Sequence, residues 1–214
     1  MTTDPYDATG PLLGAVLEEG RGSLPFALIH GEALVTCAAW ALGEAGVSPV
    51  DLGPDRTALA ELAELAARAE TAGTDGTGGE TDPQRPFVLH DSLCPMTPAG
   101  FVAECVAHAE RTGEVVVGTR PVTDTVKQTA DGRVGETVDR DQLLAVASPV
   151  VLPAPVLAVL HRSGAVAELP VADLAALVPW LRERFAVALV TAPSEGRRVA
   201  SEDDVRLLEA LTSR

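Results

Sequence analysis

Three groups of residues have the types and spacing to do chemistry. The first is Glu18-Glu19-Gly20-Arg21-Gly22-Ser23-Leu24-Pro25, a glycine-rich turn directly after an apolar run. Such a turn lets backbone N–H groups close around a phosphate, although glycine-rich turns are also common as turns alone. The second is His90-Asp91 at the end of another apolar run, with Cys94-Pro95 behind it. An aspartate at a strand end could hold a divalent cation beside a nucleotide phosphate, or simply cap a turn. The third is split between Asp124-Thr125-Val126-Lys127 and Val138-Asp139-Arg140. A hydroxyl, an arginine fork and the chain's only lysine, brought together, suit a phosphate monoester; kept apart they are solvated strand faces. His30, His108 and His161 have no ligand partner at useful spacing and read as surface or core residues.

The elements that must position these groups alternate in type. Leu12–Leu17 reads as a short buried strand, stopped by the glycine-rich turn, after which a helix is expected. Apolar residues at helical spacing predict helices over Glu32–Ala45, where Gly46 can end the run, and over Leu59–Ala69. Thr71–Pro83 carries Gly, Thr and acids without periodicity and reads as a flexible loop; Met1–Gly10 is polar and loose. Phe87–His90 predicts a second buried strand, Pro98–Thr112 a helix, and Glu114–Gly118 a third strand. Thr119–Leu143 differs: two alternating runs flank Asp131-Gly132, the signature of a hairpin too polar to have its own core. Leu143–Leu160 is apolar but broken by Pro149, Pro153 and Pro155. Val171–Arg184 reads as helical around Pro179, Val187–Thr191 as a strand, and Ser201–Leu211 as an acid-capped terminal helix.

Strands alternating with helices predict an α/β fold with a mostly parallel sheet, helices on both faces and a protruding β-arm. Ligands then sit beyond the carboxyl ends of the strands, which singles out the loops after Leu17, His90 and Gly118. All 214 residues are expected to form one domain, with 119–143 as the arm.

Composition limits the partners. Sixteen basic residues against thirty-one acidic ones leave a net charge of −15, which excludes the basic face that nucleic acid needs and a polybasic membrane anchor. With 46% hydrophobic residues the chain can build a core, and with 3% aromatics that core must be Ala, Val and Leu. The apolar runs are too short to span a bilayer and no charged-then-apolar leader opens the chain. Cys37, Cys94 and Cys105 are odd in number and lack metal spacing, which fits a reducing cytoplasm.

In order along the chain, the motifs resemble one family. His90-Asp91-Ser92-Leu93-Cys94-Pro95, Pro121-Val122-Thr123-Asp124-Thr125-Val126-Lys127 and Glu136-Thr137-Val138-Asp139-Arg140 are similar to the 2-C-methyl-D-erythritol 4-phosphate cytidylyltransferases of the non-mevalonate isoprenoid pathway. Leu144-Ala145-Val146-Ala147-Ser148-Pro149 and Arg197-Arg198-Val199-Ala200-Ser201-Glu202-Asp203-Asp204 continue the likeness, which covers about residues 86–160 and the C-terminus. The resemblance implies a Rossmann-like nucleotidyltransferase fold whose β-arm pairs two subunits into a homodimer. It implies attack of the sugar phosphate on the α-phosphate of CTP with Mg²⁺, releasing pyrophosphate. It places Asp124, Thr125, Arg140 and Arg198 at the polyol phosphate, and Gly20, Arg21 and Gly22 at the nucleotide. Asp91 falls at the nucleotide and the metal, and Arg21 and Arg198 are the cations left to act in catalysis.

The departures fall where that chemistry needs positive charge. In the family's first loop two alanines precede the glycines, and an arginine and a lysine follow them. Here those positions are Glu18, Glu19, Leu24 and Phe26, and the arginine after the His-Asp pair is Cys94. The family's segment contributing to the cytidine pocket (Gly-Gly-x-x-Arg-x-x-Ser-Val) has no counterpart. Two like charges about 4 Å apart repel by roughly 1 kcal/mol in water and several-fold more in a partly dry cleft. The sugar-phosphate side is therefore expected to be retained and the CTP side degraded. Two readings follow: a divergent cytidylyltransferase, or a non-catalytic relative acting as a sugar-phosphate-binding or regulatory dimeric scaffold.

Overall fold

The computed structural model describes residues 11–72 and 84–213. In chain order the elements are strands β1 (Leu12–Leu17), β2 (Leu28–Ile29) and β3 (Glu32–Ala33), helix α1 (Leu34–Glu44), strand β4 (Val47–Pro49) and helix α2 (Thr57–Ala72). Strand β5 (Phe87–Asp91), helix α3 (Ala99–Thr112) and strand β6 (Val115–Pro121) follow, then the arm strands β7 (Val126–Ala130) and β8 (Arg133–Val138). Strand β9 (Leu144–Leu152), helices α4 (Ala154–Arg162) and α5 (Leu174–Arg182), strand β10 (Val187–Thr191) and helix α6 (Glu202–Thr212) complete the chain.

The main sheet has the order β10-β6-β9-β5-β1-β4, and β9 alone runs against the other five strands. Alternate strand residues face opposite layers, as the two-residue period of a strand requires. Phe87, Leu89, Val115, Val117, Val150 and Leu152 pack under α2, α4 and α5, while Val88, Val116 and Val151 pack under α1 and α3. A third, smaller core of Ile29, Leu34, Leu93, Val199, Val205 and Leu208 ties α6 to the hairpin β2–β3 and to the loop after β5.

Several sequence expectations need correction. The apolar run after Leu143 contains a nine-residue strand, β9, with Pro149 inside it. Proline gives the ladder no N–H, and the pairing of β9 with β6 shifts register between Val117 and Thr119 beside that point. Gly118 lies in the shift, where a Cβ would come 2.6 Å from the Ser148 carbonyl oxygen, so only glycine fits without displacement. Helix α1 starts at Leu34 rather than Glu32, because Glu32 and Ala33 pair with Leu28 and Ile29. Helix α5 starts at Leu174 because Asp173 caps it, its Oδ1 accepting the Ala175 N–H at 2.8 Å. Thr71 and Ala72 close α2 rather than open a loop; the rest of the expected loop, and Met1–Gly10, lie outside the described residues. Strand β6 runs three residues past its expected end at Gly118, to Pro121, and the remaining predicted strands and helices are present within three residues of their expected ends.

Candidate functional site

The loops after β1 and β5 meet at the carboxyl end of the sheet. β1 and β5 are parallel neighbours, with Leu17 beside Asp91. Beyond that pair the Ser92 hydroxyl and N–H both donate to the Leu17 carbonyl, at 2.7 and 3.2 Å. Asp91 therefore lies directly under the glycine-rich loop.

The Asp91 side chain is fully buried and lies between two guanidinium groups. Arg21 Nε donates to Oδ1 at 2.7 Å and Arg198 Nε donates to Oδ2 at 2.9 Å. The Leu93 N–H adds a third bond to Oδ1 at 3.0 Å. Burial pushes the carboxyl pKa up, but Arg21, the Leu93 N–H and Arg198 outweigh it and hold the group below its usual range. The carboxylate is thus ionised and its two oxygens are taken.

Arg21 is as fully enclosed as its partner, its side chain only 1% exposed. Beyond Asp91 it donates to the carbonyls of Glu19, Ala172 (3.2 Å) and Val171 (3.4 Å), which fastens the loop onto the segment before α5. Gly20 adopts φ +77° against that same segment, and a Cβ there would come 2.7 Å from the Ala172 carbonyl oxygen. Gly22, at φ +60°, faces open space. No α-helix follows the loop directly, contrary to the sequence expectation. A 3₁₀ turn over Leu24–Phe26 and the hairpin β2–β3 come first, and α1 begins only at Leu34. The turn lacks the helix N-terminus that makes such loops good anion cradles. Glu18 and Glu19 are exposed, Leu24 is half-buried and Phe26 is 62% exposed.

Arg198 behaves differently. Val199 next to it is anchored in the small core and donates its N–H to the Leu93 carbonyl at 2.8 Å, which fixes the backbone beside Asp91. The Arg198 side chain is 38% exposed, and among the described residues no acceptor bonds its terminal nitrogens. Arg198 lines a cleft of about 930 Å³ whose wall also includes Thr119, Gln142, Leu144, Val178 and Arg182.

Sequence reasoning named Arg21, Asp91 and Arg198, and the structure brings these three together. It does not join Asp124, Thr125 and Arg140 to them within one chain. Asp124 and Thr125 are exposed on the segment entering β7, and Arg140 Nη1 donates to the Thr123 carbonyl at 2.5 Å, at the base of the arm. Lys127 bonds Thr137 across the hairpin at 2.5 Å. Missed entirely were Ser148 and Arg182. The Ser148 hydroxyl accepts the Asp91 N–H at 2.8 Å and lies 2.7 Å from His90 Nδ1. Burial lowers the His90 pKa to about 4, so its ring is neutral, and burial followed by the Asp91 charge raises Cys94 well above its usual value. Neither is a nucleophile or a base at neutral pH.

The site does not suit a divalent cation. A cation at Asp91 would have to displace two guanidinium groups from a sealed carboxylate, and among the described residues no three His, Cys, Asp or Glu side chains cluster as ligands.

A mostly parallel sheet with one reversed strand, a glycine-rich turn after the first strand and an exposed two-stranded arm make up a Rossmann-like nucleotidyltransferase fold. Within that class the chain belongs to the 2-C-methyl-D-erythritol 4-phosphate cytidylyltransferase family, whose model matches residues 79–214. The enzyme of that name from Salinibacter ruber is 32% identical over 130 residues, 61% of this chain and 53% of its own length. The one from Frankia casuarinae is 37% identical over 131 residues, 59% of this chain and 46% of its own. The match thus spans about half the length of these relatives. The crystal structure of the Thermus thermophilus enzyme superposes with a TM-score of 0.63 over 94% of this chain and 98% of that one. At 22% identity it speaks for the fold alone.

Proposed function

We propose that this protein keeps the phosphate-ester side of its family's site and has closed the nucleotide side, so that it binds a phosphate monoester without transferring a cytidylyl group. The observation that carries this reading is the burial of Arg21 against Asp91, Val171 and Ala172. The one cation of the glycine-rich loop is consumed by internal bonds, and what the loop still offers solvent is Glu18 and Glu19. A triphosphate needs positive potential where its charge arrives, and loss of single donors at such sites costs about 10²–10³ in rate. Arg198 is held by Asp91 through Nε and lines the cleft with its terminal nitrogens unbonded among the described residues, which leaves a guanidinium for a monoester. Because the residues at Asp91 do not suit Mg²⁺, no step is assigned to a metal.

The family's reaction is the second reading: transfer from CTP to 2-C-methyl-D-erythritol 4-phosphate, the activity its relatives are named for. The intact Asp124-Thr125-Val126-Lys127 and Val138-Asp139-Arg140 runs favour it. In either reading the whole chain acts as one nucleotidyltransferase-like domain, and the β7–β8 arm packs on a second copy to make a homodimer. The arm residues Asp124, Thr125 and Arg140 then act at the partner's cleft rather than their own. Among the described residues no helix is long and apolar enough to cross a membrane, and the acidic composition accords with a cytoplasmic protein that avoids nucleic acid. Incubation with CTP, Mg²⁺ and 2-C-methyl-D-erythritol 4-phosphate decides between the readings. No pyrophosphate, with the sugar phosphate still bound, is the expected result; sustained pyrophosphate release overturns it.

A further inference from the structure

Ser148 lies on β9 where its ladder to β5 gives out. The antiparallel register pairs Phe87 with Leu152, Val88 with Val151 and Leu89 with Val150. Two residues further it would set Asp91 opposite Ser148, but Pro149 stands between and has no N–H to give. The Ser148 side chain takes over there. Its hydroxyl oxygen accepts the Asp91 N–H at 2.8 Å, and the same oxygen lies 2.7 Å from His90 Nδ1. Ser148, His90 and Asp91 are all fully buried, so bulk water does not replace the hydroxyl if it is lost. Whichever of the two atoms carries the proton they share, the ring fixes the rotamer of the hydroxyl and keeps its oxygen on the Asp91 N–H.

The contact reaches the cleft through Asp91. Its Oδ2 accepts Arg198 Nε at 2.9 Å, and among the described residues this is the one bond that fixes the Arg198 guanidinium. We propose that Ser148 is a positioning residue for Arg198: by holding the Asp91 backbone it sets where the carboxylate stands, and the carboxylate sets where the guanidinium meets a phosphate monoester. The proposal rests on the monoester reading above and adds the residue that orients its cation. Ser148 touches no ligand, since its hydroxyl is sealed and both its contacts are internal. Without the hydroxyl the Asp91 N–H is buried and unpaired, so the strand end must shift to find an acceptor and carries the carboxylate with it. β1, paired along the other edge of β5 from Leu13 to Leu17, keeps the strand itself in place. The consequence is displacement rather than unfolding.

Two readouts on the full chain test it together: calorimetry with 2-C-methyl-D-erythritol 4-phosphate, and the Arg198 Nε–H resonance in proton–nitrogen NMR spectra, assigned by its loss in Arg198→Lys. Ser148→Ala should move the resonance and weaken the sugar phosphate by about tenfold, because binding is sensitive to small misplacement of a positioned group. Ser148→Thr keeps the hydroxyl and should restore both. Val151→Ala removes buried methyl groups from the same strand without touching Asp91, so it should lower the thermal midpoint and leave both readouts nearly unchanged. Should Ser148→Ala fail to fold, Ser148→Cys, with a weaker acceptor in the same place, carries the same expectations at smaller size. An unmoved resonance, or equal losses of affinity in the Ser148 and Val151 variants, overturns the positioning role and leaves the monoester reading standing. No binding by the unaltered protein overturns the monoester reading, and the resonance alone then decides whether Ser148 places Arg198.

Discussion

Asp91 and Arg21, seventy residues apart, meet at 2.7 Å with both side chains shut away from solvent. The contact binds the end of the second buried strand to the glycine-rich loop and, through the other Arg21 nitrogens, to the backbone before α5. It decides what the loop can do, because a guanidinium shut away from solvent that gives four of its five N–H donors to a carboxylate and three carbonyls has little to offer a ligand.

Removing the carboxylate should therefore cost more than removing either guanidinium. Asp91→Ala leaves Arg21 buried and charged with carbonyl acceptors but no counter-charge, a loss of about 3–5 kcal/mol by analogy with broken buried pairs. Arg198→Ala leaves Asp91 still paired with Arg21 and costs clearly less. Urea unfolding of the two variants checks the order; a smaller loss for Asp91→Ala would mean that Arg21 finds water when its partner goes.

Acid should destabilise the fold well above the carboxylate range. The folded pKa of His90, about 4, lies below the unfolded 6.5 because burial disfavours the charged ring. Below pH 6.5 the unfolded chain binds a proton that the folded chain refuses, so stability is lost as pH falls from 6.5 to about 4. The loss approaches roughly 3 kcal/mol. The lowered Asp91 pKa extends the loss to still lower pH, in the same direction. Unfolding midpoints in urea at pH 7, 5.5 and 4.5 measure it, and a flat profile contradicts it.

Much of this fold is legible in the sequence, and the omissions have physical causes. Phe87–His90 and Val187–Thr191 read as strands because they are short apolar runs between turn residues; the first is buried on both faces in the middle of the sheet, the second is a half-exposed edge strand. β9 escapes because Pro149, Pro153 and Pro155 look like breaks, whereas the register shift at Gly118 lets a proline sit inside a buried strand. β2 and β3 are two residues each and leave no periodicity to read. Arg21 and Asp91 are both visible as candidates, but their pairing is a contact between distant parts of the chain that spacing cannot reveal. Arg182 carries no motif at all; only the turn of α5 puts it on the same cleft as Arg198.

The latch makes a directional prediction about glycine. Gly20→Ala places a methyl group 2.7 Å from the Ala172 carbonyl oxygen at φ +77°, so the loop must lift from the segment before α5. A loss of about 1–3 kcal/mol is expected from the clash and the backbone conformation. Gly22→Ala, in open space, costs only the conformational part. Thermal unfolding of both variants separates the two contributions.

The arm should be the dimer contact. Its strands are exposed along almost their whole length, and a lone two-stranded hairpin is marginal in water. Sedimentation should show a dimer for the full chain and a monomer once residues 124–139 are replaced by a short Gly-Ser linker. Identical behaviour of the two would remove the arm from the interface.

Titration of the protein with CTP and Mg²⁺ in a calorimeter is the most direct test of the closed nucleotide side. Saturable heat is not expected at concentrations up to about 1 mM, which corresponds to less than about 4 kcal/mol of binding. Binding should appear when Arg21→Gly opens the latch and Leu24→Arg with Phe26→Lys supplies charge at the positions where the family carries it. A micromolar dissociation constant for the unaltered protein would contradict the account, since a triphosphate would then be held by a loop whose one cation is buried against Asp91.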